Sequence, residues 1–410
     1  MVYWEKKKGG LSVRITIFGD IMCEPPVLDG ARKADGTFDF HPMFEKVKPM
    51  FAKADYVIGN LEFPVAGEEN GGYTKSYYIF NGPDSYAQAV KDAGVDLVST
   101  INNHTLDRGP EGMLQTLKAL DAIGLPHTGH FDPEKGREEA YYFEVDGVKF
   151  ALIAYTYTTN KRVPEDHELY PMMNLLRPMT APTYTPEVTA KMKNWVDKLF
   201  KKIKHEKRAK IKKFLGMYPT LPRADDYLDK EGCEPYIKQF QEDIRKAKEK
   251  ADFVIFYPHT GGQYNPKPGK FSEYIMEKAL EAGADAVMAA HSHMVQKVET
   301  VDGVPLVWSL GNFSMSPSNV YFVAEMLPEY GLAIHLDFEE GKLTKTSLSI
   351  LKAVEKKGEL LVSWPINELY KTLKPRDQKK LEKDVKQVLA WLFEGKYDGP
   401  IIQEEYTIQQ

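Results

Sequence analysis

Six side chains with metal-ligand chemistry stand where short apolar runs end: Asp20, Glu62, Asn103, His259, His291 and His293. Carboxylate, amide and imidazole donors suit borderline or hard divalent ions such as Mn, Zn or Fe, and no thiolate is among them. Two ions a few ångströms apart need a shared ligand. A carboxylate has two oxygens to share, and Glu62 is the candidate bridge. A metal pair clamps both sides of an in-line phosphoryl displacement and lowers the pKa of a bridging water. The donor set therefore predicts a two-metal hydrolytic centre. Metal-bound imidazoles must be neutral, so affinity is expected to fall as pH drops through the histidine range.

Other residues of the same types stand alone. His41, His127, His130, His167, His205 and His335 are expected to be hydrogen-bonded structural histidines, and Cys23, close to Asp20, is expected to be inert packing. Tyr155, Tyr157 and Tyr170 are candidates for a substrate pocket or for core packing.

The elements that must position the six donors follow one pattern: a helical segment, an acid, a short apolar strand, then a polar cluster. FEKVKPMFAKADYVI leads to Gly59-Asn60-Leu61-Glu62, and YAQAVKDAGVDLVS leads to Asn102-Asn103-His104. FQEDIRKAKEKADFVIFY leads to Pro258-His259, SEYIMEKALEAGADAVMAA leads to His291-Ser292-His293, and an opening strand VRITIFG ends at Asp20. Such alternation predicts a mostly parallel sheet covered by helices, with ligands collecting at the carboxyl ends of its strands. Asp146-Gly147 and Asp302-Gly303 lie between apolar runs and predict hairpins, with a further hairpin near Glu340-Gly341. The expected architecture is α/β, with two sheets and helices outside.

Residues 158–250 interrupt the pattern. They read as a partly helical, basic insertion between the halves 11–157 and 251–350, and 351–410 reads as a charged helical extension packed on the outside. Within the insertion, Lys191 to Lys213 holds eleven Lys or Arg in 23 residues, and Trp195, Leu199 and Ile203 share one helical face. Such a run is most often a solvated helix face, the alternative being docking of an anionic substrate.

Composition narrows the rest. The chain has 410 residues, 42% hydrophobic and 28% charged, with a formal net charge of -5, which gives no global pull toward nucleic acid. Two cysteines, Cys23 and Cys233, fit a reduced compartment better than a disulfide scaffold. No stretch of about 18 apolar residues occurs, so no membrane span and a cytoplasmic location are expected.

Taken in order, Gly-Asp at Asp20, Gly-Asn-Leu-Glu at Glu62, Asn-Asn-His-x-x-Asp-x-Gly from Asn102 to Gly109, His259, His-x-His at His291 and His293, and Ser-Leu-Gly-Asn-Phe from Ser309 to Phe313 resemble the CapA family of capsule, or poly-γ-glutamate, biosynthesis. The resemblance covers roughly residues 11–155 and 250–340. It implies a calcineurin-like metallophosphoesterase fold, a four-layer sandwich of two mixed sheets flanked by helices. It implies that Asp20 and His293 hold one metal, that Asn103, His259 and His291 hold a second, and that Glu62 bridges. His104 would face the substrate as electrophile or general acid, oriented by Asp107, and Asn60, Asn102, Asn312 and Gln263 would line the substrate mouth. The implied substrate is an anionic small molecule or polymer. Three positions depart from the pattern. Met22 stands where phosphoesterases carry a histidine ligand, Glu62 where they carry the shorter Asp, and Gln263 where the family often carries an acid.

Overall fold

In the computed structural model, residues 12–182, 225–356 and 358–408 are described, with four isolated positions between 182 and 225. His205 and nearly all of the Lys191–Lys213 stretch lie outside the described residues.

The chain opens with four parallel strands, β1 (Ser12–Ile21), β2 (Tyr56–Leu61), β3 (Leu97–Ser99) and β4 (His127–Thr128). It then crosses to a second sheet of β5 (Tyr141–Val145), β6 (Val148–Thr156), β7 (Phe253–His259), β8 (Ala286–Met288), β9 (Val298–Val301) and β10 (Val304–Val307). Its order is β5-β6-β7-β8-β10-β9, with β6, β7, β8 and β10 parallel and the edge strands antiparallel. The chain returns to the first sheet through β11 (Tyr330–Glu339), β12 (Lys342–Val354), β13 (Val362–Pro365) and β14 (Tyr406–Thr407), all antiparallel to their partners. The five ligand-bearing strands therefore divide between two mixed sheets rather than sharing one: β1–β3 in the first, β7 and β8 in the second. The repeat of helix and strand is the same on both, so local pattern alone does not reveal the crossover.

Side-chain alternation builds four layers. On β1, Val13, Ile15 and Ile17 enter the core between the sheets, while Phe18 and Ile21 face outward. On β7, Phe253, Ile255 and Tyr257 point inward and Val254 and Phe256 outward. The outward face of the first sheet is covered by helices Pro25–Ala31, Asp84–Asp92 and Gly109–Ile123. Helices Lys230–Lys248 and Lys270–Ala282 cover the second. Each Ile or Phe so buried contributes about 1.5–3 kcal/mol, and a charge at Ile17, fully buried in mid-strand, would disrupt both layers. All three hairpins form where the sequence places them. Their turn residues Asp146-Gly147, Asp302-Gly303 and Glu340-Gly341 all have positive φ, the geometry that matches strand twist.

Two segments differ from the sequence reading in detail. Residues 230–248 of the expected insertion form the crossover helix between parallel β6 and β7, burying Cys233, Ile237, Phe240 and Ile244 against the second sheet. Beyond residue 350 the chain supplies β13 and β14 as well as helices. Helix Pro375–Leu392 places Leu381, Val385 and Val388 in the same apolar cluster as the inter-sheet core.

Candidate metal centre

The carboxyl ends of β1, β2, β3, β7 and β8 meet at one point. Asp20 lies near the end of β1, Glu62 directly follows β2, Asn103 follows β3, His259 ends β7, and His291 and His293 follow β8. All six are buried. Two groups of ligand atoms form, Glu62 with His259 and His291, and Asp20 with Glu62 and His293, the atoms of each lying within 4.8 Å of one another. Glu62 is common to both.

Around His259 Nε2 the donors converge. Asn103 Oδ1 lies at 2.7 Å, His291 Nδ1 at 3.1 Å and Glu62 Oε1 at 3.4 Å. A neutral imidazole nitrogen can satisfy only one such neighbour. In the other group, His293 Nδ1 is 3.8 Å from Asp20 Oδ2, and its Nε2 is 3.9 Å from Glu62 Oε1. His293 Nδ1 also meets Asn312 Oδ1 at 2.9 Å, which fixes the ring and leaves Nε2 facing Glu62. Both Glu62 carboxylate oxygens are fully buried and have no hydrogen-bond partner. Burying a carboxylate without partners costs several kcal/mol, so this arrangement calls for positive charge beside it. Carboxylates, imidazoles and an amide converging on unpartnered oxygens fit a pair of divalent ions.

Titration follows from the burial. Burial, then the neighbouring Glu62 carboxylate, pushes Asp20 up to about 8. Burial raises Glu62. It pushes His259 down to about 4, holds His291 well below its usual range, and lowers His293. The imidazoles are therefore ready to coordinate in mild acid. The proton that competes with a cation sits on the carboxyl groups.

His104 is placed differently. Its ring stacks on Phe80 with centroids 4.1 Å apart, and Nδ1 meets Asp107 Oδ2 at 2.6 Å. Asp107 Oδ2 also accepts the Phe80 backbone N–H at 2.7 Å. His104 Nε2 is left facing Glu62 Oε1 at 3.9 Å. Burial disfavours the charged ring, but the Asp107 carboxylate outweighs it, and the net shift is upward.

Of the four residues expected at a substrate mouth, three are buried and hydrogen-bonded within the protein. Asn60 donates to Asp20 Oδ1 at 2.7 Å; Asn102 donates to Leu61 O and accepts from His104 N; Asn312 donates to the carbonyls of His293 and Pro328. Gln263 is half-buried in the turn after β7. Met22 packs in the apolar cluster on the outer face of the first sheet, with its N–H donated to Ser314 Oγ at 2.8 Å.

Gly19 explains why the distant Ser309–Phe313 segment reaches the centre. A Cβ there would lie 2.1 Å from the Gly311 carbonyl oxygen, so only glycine lets the two backbones touch. Asp20 and Asn312 then bridge directly.

Sequence reasoning missed Asn160 and singled out Tyr157 only as one of three tyrosines. Asn160, on the loop after β6, donates its N–H to Asn103 O and brings its amide to Asn103 and Asp107. Tyr157 sets its ring 4.6 Å from His291. Tyr155 bonds Asp243 and Arg137, and Tyr170 bonds Tyr236, both away from the centre. Of the solitary histidines, His41, His127, His130, His167 and His335 all have hydrogen-bond partners.

Residues 14–316 match the model of the bacterial capsule synthesis protein family PGA_cap. The chain belongs to this family. A relative in Sinorhizobium fredii, the uncharacterized protein y4sH, is 26% identical over 71% of this chain and 65% of its own length. The capsule biosynthesis protein CapA of Bacillus anthracis is 24% identical, covering 75% of this chain and 61% of that protein. The PGA biosynthesis protein CapA of Bacillus subtilis is 24% identical, covering 66% and 56%. The chain thus spans less than two thirds of the relatives it matches. Among solved structures, a putative 5'-nucleotidase from Staphylococcus aureus aligns with a TM-score of 0.41 and 11% identity, covering 93% of this chain and 58% of that one. No helix among the described residues is long and apolar enough to cross a membrane.

Proposed function

We propose that this PGA_cap member is a dinuclear-metal-dependent hydrolase acting on phosphoester or cell-envelope polymer bonds in capsule-type polymer synthesis. The observation that carries the reading is Glu62, buried, unpartnered at both oxygens and common to two ligand groups. Asp20 and His293 would hold one ion, Asn103, His259 and His291 the other, with Glu62 between. A bound pair supplies a low-pKa water and charge neutralisation at the transferring group. The protein's own part is to keep the ligands rigid and dry and to offer a proton. With Nδ1–H donated to Asp107, Nε2 faces the centre and carries the transferable proton in the imidazolium form. Its raised pKa suits a general acid that protonates the leaving oxygen. The polymer class comes from the names of the two Bacillus relatives. The test is metal analysis of the purified protein with a screen of phosphoesters and γ-glutamyl amides. Absence of bound divalent metal together with inertness toward every substrate would defeat the proposal.

A second reading is a non-catalytic metal- or polymer-binding accessory protein in capsule synthesis. It is favoured by Met22, an apolar side chain in an apolar cluster where a ligand is expected, and by the amide of Gln263. Unchanged cellular polymer in His104→Ala, with binding lost in His291→Ala, would support it. Loss of turnover in vitro in His104→Ala would exclude it.

A further inference from the structure

Arg177 is 2% exposed, yet among the described residues no carboxylate lies within ion-pair distance of it. Its hydrogen bonds run from Nε to the Tyr157 carbonyl at 3.0 Å and from Nη1 to the Pro182 carbonyl at 3.2 Å. Nη2 has no partner among the described residues. The guanidinium carbon lies 5.0 Å from the Tyr157 ring centroid and 4.9 Å from that of Phe271. Tyr157 is the residue whose ring lies against His291 and whose N–H is donated to the His259 carbonyl at 3.0 Å. One aromatic side chain therefore touches both a candidate ligand and the buried cation.

A cavity of about 230 Å³ opens on Arg177, with Pro178, Tyr227 and Cys233 on its walls. Asp229, the one acid among the described residues on the wall, is exposed, and its carboxylate caps the helix Lys230–Lys248 by accepting the Gly232 N–H at 3.0 Å. Burial lowers the Arg177 pKa by more than the Asp225 carboxylate, which lies beyond ion-pair distance, raises it, so the buried charge is only partly offset. A buried guanidinium on a cavity wall, whose Nη2 has no partner among the described residues, matches a planar or tetrahedral oxyanion.

We propose that Arg177 is an anion anchor, holding a carboxylate or phosphate group of an extended substrate that carries a second reacting group at the metal centre. That the anion belongs to a substrate rests on the hydrolase reading; the anion site itself does not. The substrate class is then a molecule with at least two anionic or polar ends rather than a small monoester.

The test is calorimetric titration of the full chain, treated with chelator so that no metal competes, with inorganic phosphate and separately with glutarate. Binding of either probe to the wild type, weakened at least tenfold in Arg177→Met and less in Arg177→Lys, supports the site. Phosphate alone identifies a phosphoryl group, and glutarate alone a carboxylate. Failure of both probes, or equal binding by Arg177→Met, overturns it. Should Arg177→Met not fold, wild-type crystals soaked in selenate decide: a selenium anomalous peak beside Arg177 supports the anchor, and its absence there overturns it. Neither measurement uses turnover, so an inactive protein that binds the probes and an active one that does not are separate results.

Discussion

Glu62 sits fully buried with both oxygens unpartnered, so its replacement has opposite effects with and without metal. Glu62→Gln is expected to lose at least one bound ion by elemental analysis. The metal-free variant is expected to be more stable than metal-free wild type by about 1–2 kcal/mol in urea, because a neutral amide is cheaper to bury. His104→Ala is expected to keep its metal and lose about 10²–10⁴-fold in kcat, with Asp107→Asn falling in the same direction because Nδ1 loses its acceptor. The pH dependence of metal binding is expected to be set by carboxyls. Asp20 is protonated below about 8, whereas His259 stays neutral down to about 4. Apparent affinity is therefore expected to fall about tenfold per pH unit below 8 as one proton must be displaced. A profile that is flat there and breaks only near the ordinary imidazole range would contradict this. The sequence marks the candidate ligands but not this order of titration, because burial, which sets it, has no local signature.

At the scale of elements, the turn after β8 carries unusual backbone: His291 has φ 103° and His293 φ 53°. Such conformations in residues with a Cβ cost of order 1–3 kcal/mol each and persist where surrounding structure imposes them. Here the imposition comes from Asn312, which binds both the ring and the carbonyl of His293. Asn312→Ala is expected to weaken metal binding by about 10–100-fold while leaving the ligands themselves untouched, measurable with a competing chelator. Legibility tracks periodicity at this scale. The strands of the centre, their preceding helices and the three Asp-Gly or Glu-Gly turns are written in local pattern. Asn160, Tyr157 and Arg177 lie on irregular backbone between β6 and the crossover helix, where no period marks them. β13 and β14 are short and owe their pairing to β12, a non-local partner. Asn312 was noticed by motif, yet its work under His293 depends on a backbone approach that only Gly19 and Gly311 make possible.

For the whole molecule, the candidate ligands come from both sheets, so a bound metal would be thermodynamically linked to the fold. A divalent ion at a hundred times its dissociation constant is expected to add about 2.7 kcal/mol per site, read as a chelator-sensitive rise in melting temperature. Acid is expected to act elsewhere. Burial pushes His130 down to about 3 and His335 down to about 4. Both folded values lie below the unfolded value near 6.5, so the unfolded chain binds more protons in this window. The contribution of these two rings should be flat above pH ~6.5 and should fall below it by about 1.4 kcal/mol per pH unit for each ring until the folded rings titrate, opposed by the buried Asp20 carboxyl, which keeps its proton up to about 8 and favours the folded state as pH falls. The difference in urea midpoint between wild type and His335→Asn, followed from pH 7 to 4, isolates the His335 share and should narrow as pH falls.

The positions that converge on Glu62 run from Asp20 to Asn312 along the chain. Synthesis proceeds from the N-terminus, and the first sheet's parallel strands emerge long before β7 and β8. A nascent chain released near residue 250 would own two carboxylates and an amide but none of the three imidazoles. Ion capture would then be a late event, after translation has entered the last third, and prematurely terminated fragments of this protein would be expected to pass through the cell without taking metal from it.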